Sequence, residues 1–261
     1  MAVPTVLTAG PWDPGSQHGG APSALLARAV EHVPAPEPVQ IARLTVELLR
    51  PVPLRPLTIS TEVVRPGRTL QLVRAVLRDG DVEVAAAHGL RLRRADLPLP
   101  DSVPAVEVLG PGPEGAHPSG PGGLVPDRSQ PGFHSTANEV RFTVGGFDRP
   151  GGATAWLRLL VPVVAGEEVS PVQRVAAAAD FGNGLSWVLP VDRWLFINPD
   201  LTIHLVRPPA GEWIGMRSET LAGAHGVGVA DTALFDERGR IGRSAQTLLL
   251  DRRPDQPPAP A

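Results

Sequence analysis

Leu44-Thr45-Val46-Glu47-Leu48-Leu49-Arg50-Pro51 returns later in the chain as Leu201-Thr202-Ile203-His204-Leu205-Val206-Arg207-Pro208. The spacing between the two copies, 157 residues from Thr45 to Thr202, continues without a gap. It aligns Glu62 with Glu219 and Asp79 with Asp236. Over residues 44–94 and 201–251 the frame holds nine identities in 51 pairs, where composition alone gives about three or four. Both copies also share one order of elements: a helical stretch, an apolar strand ending in Arg-Pro, then three further strand-like segments. A duplicated module implies a pseudo-twofold pair.

In the first copy, His18-Gly19-Gly20 opens a helix over Ala21 to Val33, with Pro22 in its first turn and Leu25, Leu26, Ala29 and Val30 as its apolar stripe. Strands follow at Gln40 to Leu49, Leu57 to Val64, Thr69 to Leu77 and Val82 to Leu92, separated by Arg-Pro-Gly and Asp-Gly turn signals. The second copy has strands at Asn138 to Val144 and Thr154 to Val163, then a helix capped by Ser170-Pro171 and running from Val172 to about Phe181. Its later strands are Trp194 to Val206, Trp213 to Leu221, Val227 to Phe235 and Ile241 to Leu250. Between the copies lies a Pro/Gly-rich tract with little that can pack. The chain is therefore divided into an N-terminal module (1–95), a linker (96–133), a C-terminal module (134–253) and a disordered tail (254–261).

A central helix wrapped by an antiparallel sheet, twice over, is the pattern of an α+β double hotdog: two tandem hotdog modules whose sheets join edge to edge. A β-sandwich or barrel has a similar strand count, but two capped helices at equivalent places argue against it.

Composition narrows the chemistry. With 42% hydrophobic residues over 261 positions the chain can bury a large core, and no apolar run reaches the ~20 residues of a membrane span. The N-terminus lacks a basic segment followed by an apolar one, so a cytoplasmic location is expected. Cysteine is absent, which excludes disulfides, thiol nucleophiles and thiolate metal sites. All 24 basic residues are arginine, and the absence of Lys and Tyr removes Schiff-base lysine and tyrosine acid chemistry. A net charge of −3 gives no general attraction to nucleic acid or an anionic membrane.

Familiar catalytic motifs fail on their residues. Gly184-Leu185-Ser186-Trp187-Val188 lacks the second glycine of a nucleophile elbow. Gly226-Val227-Gly228 lacks the third glycine of a dinucleotide loop, and no His pair has metal-ligand spacing, so neither metal nor bound cofactor is expected. What remains is a polar constellation in the second module. Asp180 closes a helix after four alanines, Asn198, Asp200 and Thr202 alternate along one strand and so share a face, and Gln246 interrupts an apolar strand pattern. In the repeat frame the partners of Asn198 and Gln246 are Ile41 and Gly89, an asymmetry that favours one working site over a folding role.

At these positions the chain resembles the bacterial acyl-CoA thioesterase II type of double-hotdog thioesterase. The resemblance rests on His18-Gly19-Gly20, Ala178-Ala179-Asp180, Asp200-Leu201-Thr202 with Arg207-Pro208, and Ser244-Ala245-Gln246, and it spans nearly all of the chain outside the linker and tail. It implies hydrolysis of acyl-CoA by a water that an Asp, a Gln and a Thr hold, with no covalent enzyme intermediate. Asp180 and Gln246 match the first two, while Asn198 stands where the family has Thr. With Asp180 as general base, Gln246 and Asn198 would orient the water. Backbone N–H groups at a helix N-terminus, where Gly19 and Gly20 permit close approach, would stabilise the oxyanion, and Thr202 is a supporting candidate. The family also implies association into a homo-oligomer. The rival within the fold, a hydratase, needs Asp-x-Asn-Pro-x-His, but Phe196 stands in place of the Asp and His204 lies too far from Pro199. The rival of another class is a non-catalytic acyl-CoA or lipid-binding protein, which the Asn198 departure favours.

Overall fold

The computed structural model describes residues 1–13, 15–118 and 131–253. Helix α1 (Gly20–Glu31) precedes strands β1 (Val39–Glu47), β2 (Thr58–Arg65), β3 (Leu70–Asp79) and β4 (Val82–Arg93). Then come β5 (His117–Pro118), β6 (Asn138–Val144), β7 (Ala153–Leu159), α2 (Pro171–Ala179) and the single turn α3 (Gly182–Leu185). The chain finishes with β8 (Trp194–Ile197), β9 (Asp200–Leu205), β10 (Trp213–Ala222), β11 (Val227–Asp236) and β12 (Gly239–Arg252). All strands belong to one antiparallel sheet in the order β2-β3-β4-β1-β9-β12-β11-β10-β7-β6-β5, with β8 also on β12.

The sheet obeys the repeat frame at the level of register. Thr58 faces Arg78 as Gly215 faces Phe235, Leu70 faces Leu92 as Val227 faces Leu249, and Thr45 faces His88 as Thr202 faces Ala245. Even the irregularity recurs, between Leu77 and Arg78 and between Leu234 and Phe235. The halves meet where β1 pairs with β9, and there Thr45 lies opposite its own counterpart Thr202, Oγ1 to Oγ1 at 3.4 Å. A local twofold axis therefore passes between these two threonines.

Both helices lie on one face of the sheet and against each other. Leu44 and Val46 of β1 and Leu201 and Ile203 of β9 point to that face and share one core with Leu26 and Val30 of α1 and Val175 of α2. The alternation buried-exposed along β9, with Thr202 and His204 on the far face, is that of a sheet covered on one side. Helix α2 starts as its sequence dictates, with Ser170 Oγ accepting from Gln173 N at 3.1 Å and Pro171 in the first turn. The alanines that follow let α1 come close: a Cβ on Gly20 would stand 2.6 Å from the carbonyl oxygen of Ala177. At the other end of α1, the buried Arg91 guanidinium donates to the carbonyls of Val30 (3.2 Å), Val33 (2.6 Å) and Pro34 (3.3 Å) and closes the helix.

Three expectations change. The strand expected from Trp194 to Val206 breaks at Asn198-Pro199 into β8 and β9, because proline has no N–H for the ladder and restricts the residue before it. The tract taken as a linker is not free of packing: Leu109 and Ala116 are buried with Trp156, Trp213 and Phe235, and Trp156 Nε1 donates to Pro111 O at 2.9 Å. The turn α3 extends the second helical segment past Asp180, where a simple stop was expected. The tail 254–261 and residues 119–130 of the tract lie outside the described residues. Among the described residues no helix is long and apolar enough to cross a membrane.

Candidate active site

Asp180 is the C-cap of α2 and is almost fully buried, at 4% exposure. A carboxylate at that end of a helix opposes the helix dipole, so its charge must be met from elsewhere. The other half of the molecule meets it: α1 presents its N-terminus to Asp180, with the chain leading in through His18 and Gly19. His18 Nδ1 stands 2.9 Å from Asp180 Oδ2. The Gly20 amide lies 3.1 Å from the same ring nitrogen and is also a donor to the carboxylate. A ring nitrogen beside an ionised carboxylate carries the proton, so Nδ1–H donates to Asp180. The imidazole is held in orientation between Phe133 and Phe181, with ring centroids 5.1 and 4.7 Å away.

Two amides complete the shell. Asn198 Nδ2 donates to Asp180 Oδ1 at 2.8 Å, and Gln246 Nε2 reaches the same oxygen at 3.4 Å and the Asp180 carbonyl at 3.3 Å. Gln246 is itself locked, since its Oε1 accepts from Asn183 N at 3.0 Å. Burial pushes the Asp180 carboxyl up, but the bond and charge from His18, with the bonds from Asn198 and Gly20, outweigh it and hold the group below the ordinary carboxylate range. At neutral pH the site thus contains an ionised, buried carboxylate that accepts from His18, Asn198, Gly20 and Gln246.

Glycine is needed at three places around this shell. A Cβ on Gly19 would sit 2.8 and 2.9 Å from the two Asp180 oxygens. One on Gly20 would strike Phe133 at 2.7 Å, and one on Gly182 would meet Gln246 Oε1 and Thr232 Oγ1, each at 2.8 Å. The Gly20 N–H is committed to the His18–Asp180 pair, whereas the Gly19 N–H makes no hydrogen bond among the described residues.

Asp180, Asn198, Gln246, Gly19 and Gly20 therefore converge. Thr202 does not. The break at Pro199 turns Asn198 inward, while Thr202 points away from the helices toward Thr45 on the far face, so the expected shared face of Asn198 and Thr202 is corrected. Asp200 is also elsewhere, its Oδ1 accepting from Thr247 N at 2.7 Å. His18 and Asn183 join this shell beyond the residues that the sequence pattern marks. The sequence signal for His18 was its place directly before the two glycines; for Asn183, inside a Gly-Asn-Gly turn, there was none. Among the described residues no group of three or more His, Asp or Glu could hold a metal ion.

Two family models match the chain. The acyl-CoA thioesterase N-terminal domain matches residues 8–92, and the acyl-CoA thioesterase C-terminal domain matches residues 101–250. No curated protein matches the sequence. Among solved structures, a candidate thioesterase from Novosphingobium aromaticivorans is 23% identical with a TM-score of 0.72, the match covering 95% of this chain and 93% of that one. A hot dog fold protein of unknown function from Alicyclobacillus acidocaldarius is 17% identical with a TM-score of 0.71, over 92% of this chain and 89% of that one. The acyl-CoA thioesterase II TesB2 from Mycobacterium marinum is 16% identical with a TM-score of 0.64, over 92% and 93% respectively. At these identities the structures show a common hot dog fold.

Proposed function

The chain belongs to the acyl-CoA thioesterase family and is a thioesterase, and from that premise we propose that it is a double hotdog that hydrolyses acyl-CoA at Asp180. The observation that carries this reading is the buried, ionised Asp180 carboxylate where the N-terminus of α1 meets the C-terminus of α2.

The water that attacks the thioester carbonyl loses its proton to Asp180 as the new C–O bond forms. Asn198 holds the carboxylate through Nδ2, which leaves its own Oδ1 to accept from that water. Gln246 acts one step back: both ends of its amide are engaged with protein, so it positions the carboxylate rather than the water. His18 stabilises the ionised form of the base. The Gly19 N–H, at the positive end of α1, is the donor for the oxyanion. When the intermediate collapses, the C–S bond breaks and Asp180 returns its proton to the departing thiolate, giving free acid and coenzyme A.

The test is release of coenzyme A from a panel of short, medium, long and aromatic acyl-CoAs, read with a thiol dye to which this cysteine-free protein adds no background. Asp180→Ala and Gln246→Ala proteins run beside the wild type, and turnover should collapse in both. Turnover indifferent to both changes, or none on any substrate, sinks the proposal. The second outcome favours a non-catalytic acyl-CoA binder, a reading that Asn198 at the family's Thr position supports.

A further inference from the structure

Two tryptophans and two arginines gather beside the site without a role in the chemistry above. Going back along β8 from Asn198, the side chains on the helix-bearing face are Phe196 and then Trp194, and Trp194 lies about 13 Å from Asn198 at the rise of a strand. The strand is fixed to the site, because Phe196 O accepts from Asn183 Nδ2 at 3.3 Å and the Asn183 N–H holds Gln246. Trp12 arrives from the other half, on the small hairpin closed by Ala9 and Gln17 that leads into His18. Its ring meets Phe196 edge to face at 5.3 Å and is still 39% exposed.

On these indoles lie guanidinium groups. Arg252 is the direct cross-strand partner of Trp194, its Cζ 5.1 Å from the ring centroid. Arg253 has its Cζ 5.8 Å from Trp12 and is tied down by Nε to Val191 O at 2.8 Å and by its backbone N to Arg193 O at 3.0 Å. Among the described residues, neither the Arg252 nor the Arg253 guanidinium forms an ion pair, and the Asp251 carboxylate accepts instead from the Arg252 backbone N at 2.7 Å. The nearby acids are otherwise placed: Asp251 alternates to the far face with Leu249, Asp13 accepts from Gly15 N and Ser16 Oγ, and Asp192 stands 3.9 Å from the exposed Arg193. A guanidinium stacked on an indole keeps its edge donors for a planar or tetrahedral anion.

We propose that this Trp–Arg rim binds the nucleotide end of coenzyme A, with the guanidinium groups of Arg252 and Arg253 on its phosphates and the exposed indole of Trp12 beside the adenine. The inference rests on the acyl-CoA reading of the neighbouring site. The distance from Asn198 to Trp194 is then the run of the pantetheine arm, which ends at the cations. Phosphate recognition by paired guanidinium groups supplies affinity without touching the reacting carbonyl, so its signature is in KM for substrates that carry the nucleotide.

The experiment compares one acyl group on coenzyme A and on N-acetylcysteamine, which presents the same thioester without phosphates or adenine. In the wild type, kcat/KM should favour the coenzyme A thioester strongly, and raising the salt concentration should erode that preference. The Arg252→Ala/Arg253→Ala protein should lose about a hundredfold of the preference, roughly tenfold per guanidinium, through KM. A double Gln variant of the same two residues, with its melting temperature matched to the wild type, guards against a folding defect. A preference that is the same in wild type and variants overturns the proposal. If the wild type hydrolyses neither thioester, the function assigned above has failed. The rim is then judged separately by tryptophan quenching on titration with free coenzyme A. Binding that weakens about a hundredfold in the double variant sustains it, and equal or absent binding overturns it.

Discussion

Gly182→Ala sets two effects of opposite sign against each other. Gly182 opens α3 with an ordinary helical backbone, so an alanine there gains helix propensity and removes chain entropy from the unfolded state, together about 0.4–1 kcal/mol of stabilisation. Against this, the new Cβ would lie 2.8 Å from both Gln246 Oε1 and Thr232 Oγ1, some 0.6 Å inside ordinary contact. Neither neighbour can yield cheaply. Thr232 Oγ1 is bonded to Ser218 Oγ at 2.9 Å in a buried pair, and Gln246 is held by Asn183 N at one end and Asp180 at the other. If Gln246 gives way, the buried Asn183 N–H loses its acceptor, at a cost of about 1–3 kcal/mol. The clash wins: the variant should be destabilised by about 1–2 kcal/mol, which lowers the melting temperature by roughly 2–8 °C for a protein of this size. The displaced amide no longer holds the carboxylate, so kcat should fall about a hundredfold, the usual consequence of a misplacement near 1 Å. A thermal melt and the thiol-release assay measure both quantities on one preparation. A melting temperature that rises with turnover intact would refute the claim that Gln246 is a fixed part of the site.

Other outcomes follow from the same shell. The Asp180 carboxyl is held low in the folded protein, so its ionisation contributes stability that is present above the unfolded value of about 3.9 and is lost as pH falls through the folded value. Asp180→Asn should therefore unfold more readily than wild type at pH 7, with the gap closing below about pH 4, and equal pH dependence in urea titrations would contradict this. His18→Leu removes the strongest donor to the carboxylate and should move the acid limb of the kcat profile upward, while His18→Asn keeps a donor and should move it less. An acid limb common to all three proteins would remove His18 from the positioning of the base. At the turn between β11 and β12, the buried Asp236 accepts from Arg207 and from the backbone N–H of Ala210 (2.7 Å) and Arg238 (2.9 Å). Asp236→Ala leaves these donors without an acceptor and should cost about 3 kcal/mol by urea unfolding, discounted from a fully buried pair because Arg207 is partly exposed; a loss under 1 kcal/mol would show the network is redundant.

The parts of this molecule that repeat at short range were legible from its residues. Alternation along Leu201, Ile203 and Leu205 marks a strand with one buried face, Ser170-Pro171 marks a helix start, and the 157-residue frame carries the register of one half onto the other. Gln246 was legible for the opposite reason, as an amide where the alternation calls for an apolar side chain. What stayed hidden depends on one residue overriding a pattern or on contacts far apart in the chain. Pro199 cuts a strand that hydropathy reads as continuous, and that cut aims Asn198 at Asp180 instead of along the face of Thr202. His18 and Asp180 meet only because two helices pack side by side and antiparallel. Leu109 and Ala116 lie in a Pro/Gly-rich tract, and nothing local shows that an aromatic cluster awaits them.

The 157-residue repeat runs with the symmetric register of the sheet, and two local differences set the proposed site apart from its counterpart. The counterpart of Gln246 in the first half is Gly89, and there a Cβ would stand 2.3 Å from a methyl of Val30. Helix α1 thus lies where the second half keeps an amide, and no side chain at position 89 can reach a carboxylate. Where the N-terminus of α2 meets the C-terminus of α1, the acid is Glu31, with Ser170 Oγ donating to it at 2.6 Å. Burial dominates at Glu31 and holds its carboxyl above the ordinary range, the opposite direction from Asp180, whose donors win. One junction therefore favours the ionised form of its acid, and the other makes ionisation harder. The proposed working junction draws Gly19 and His18 from one half and Asp180, Asn198 and Gln246 from the other. The proposed site is consequently a property of both halves together, and either half alone carries only part of it.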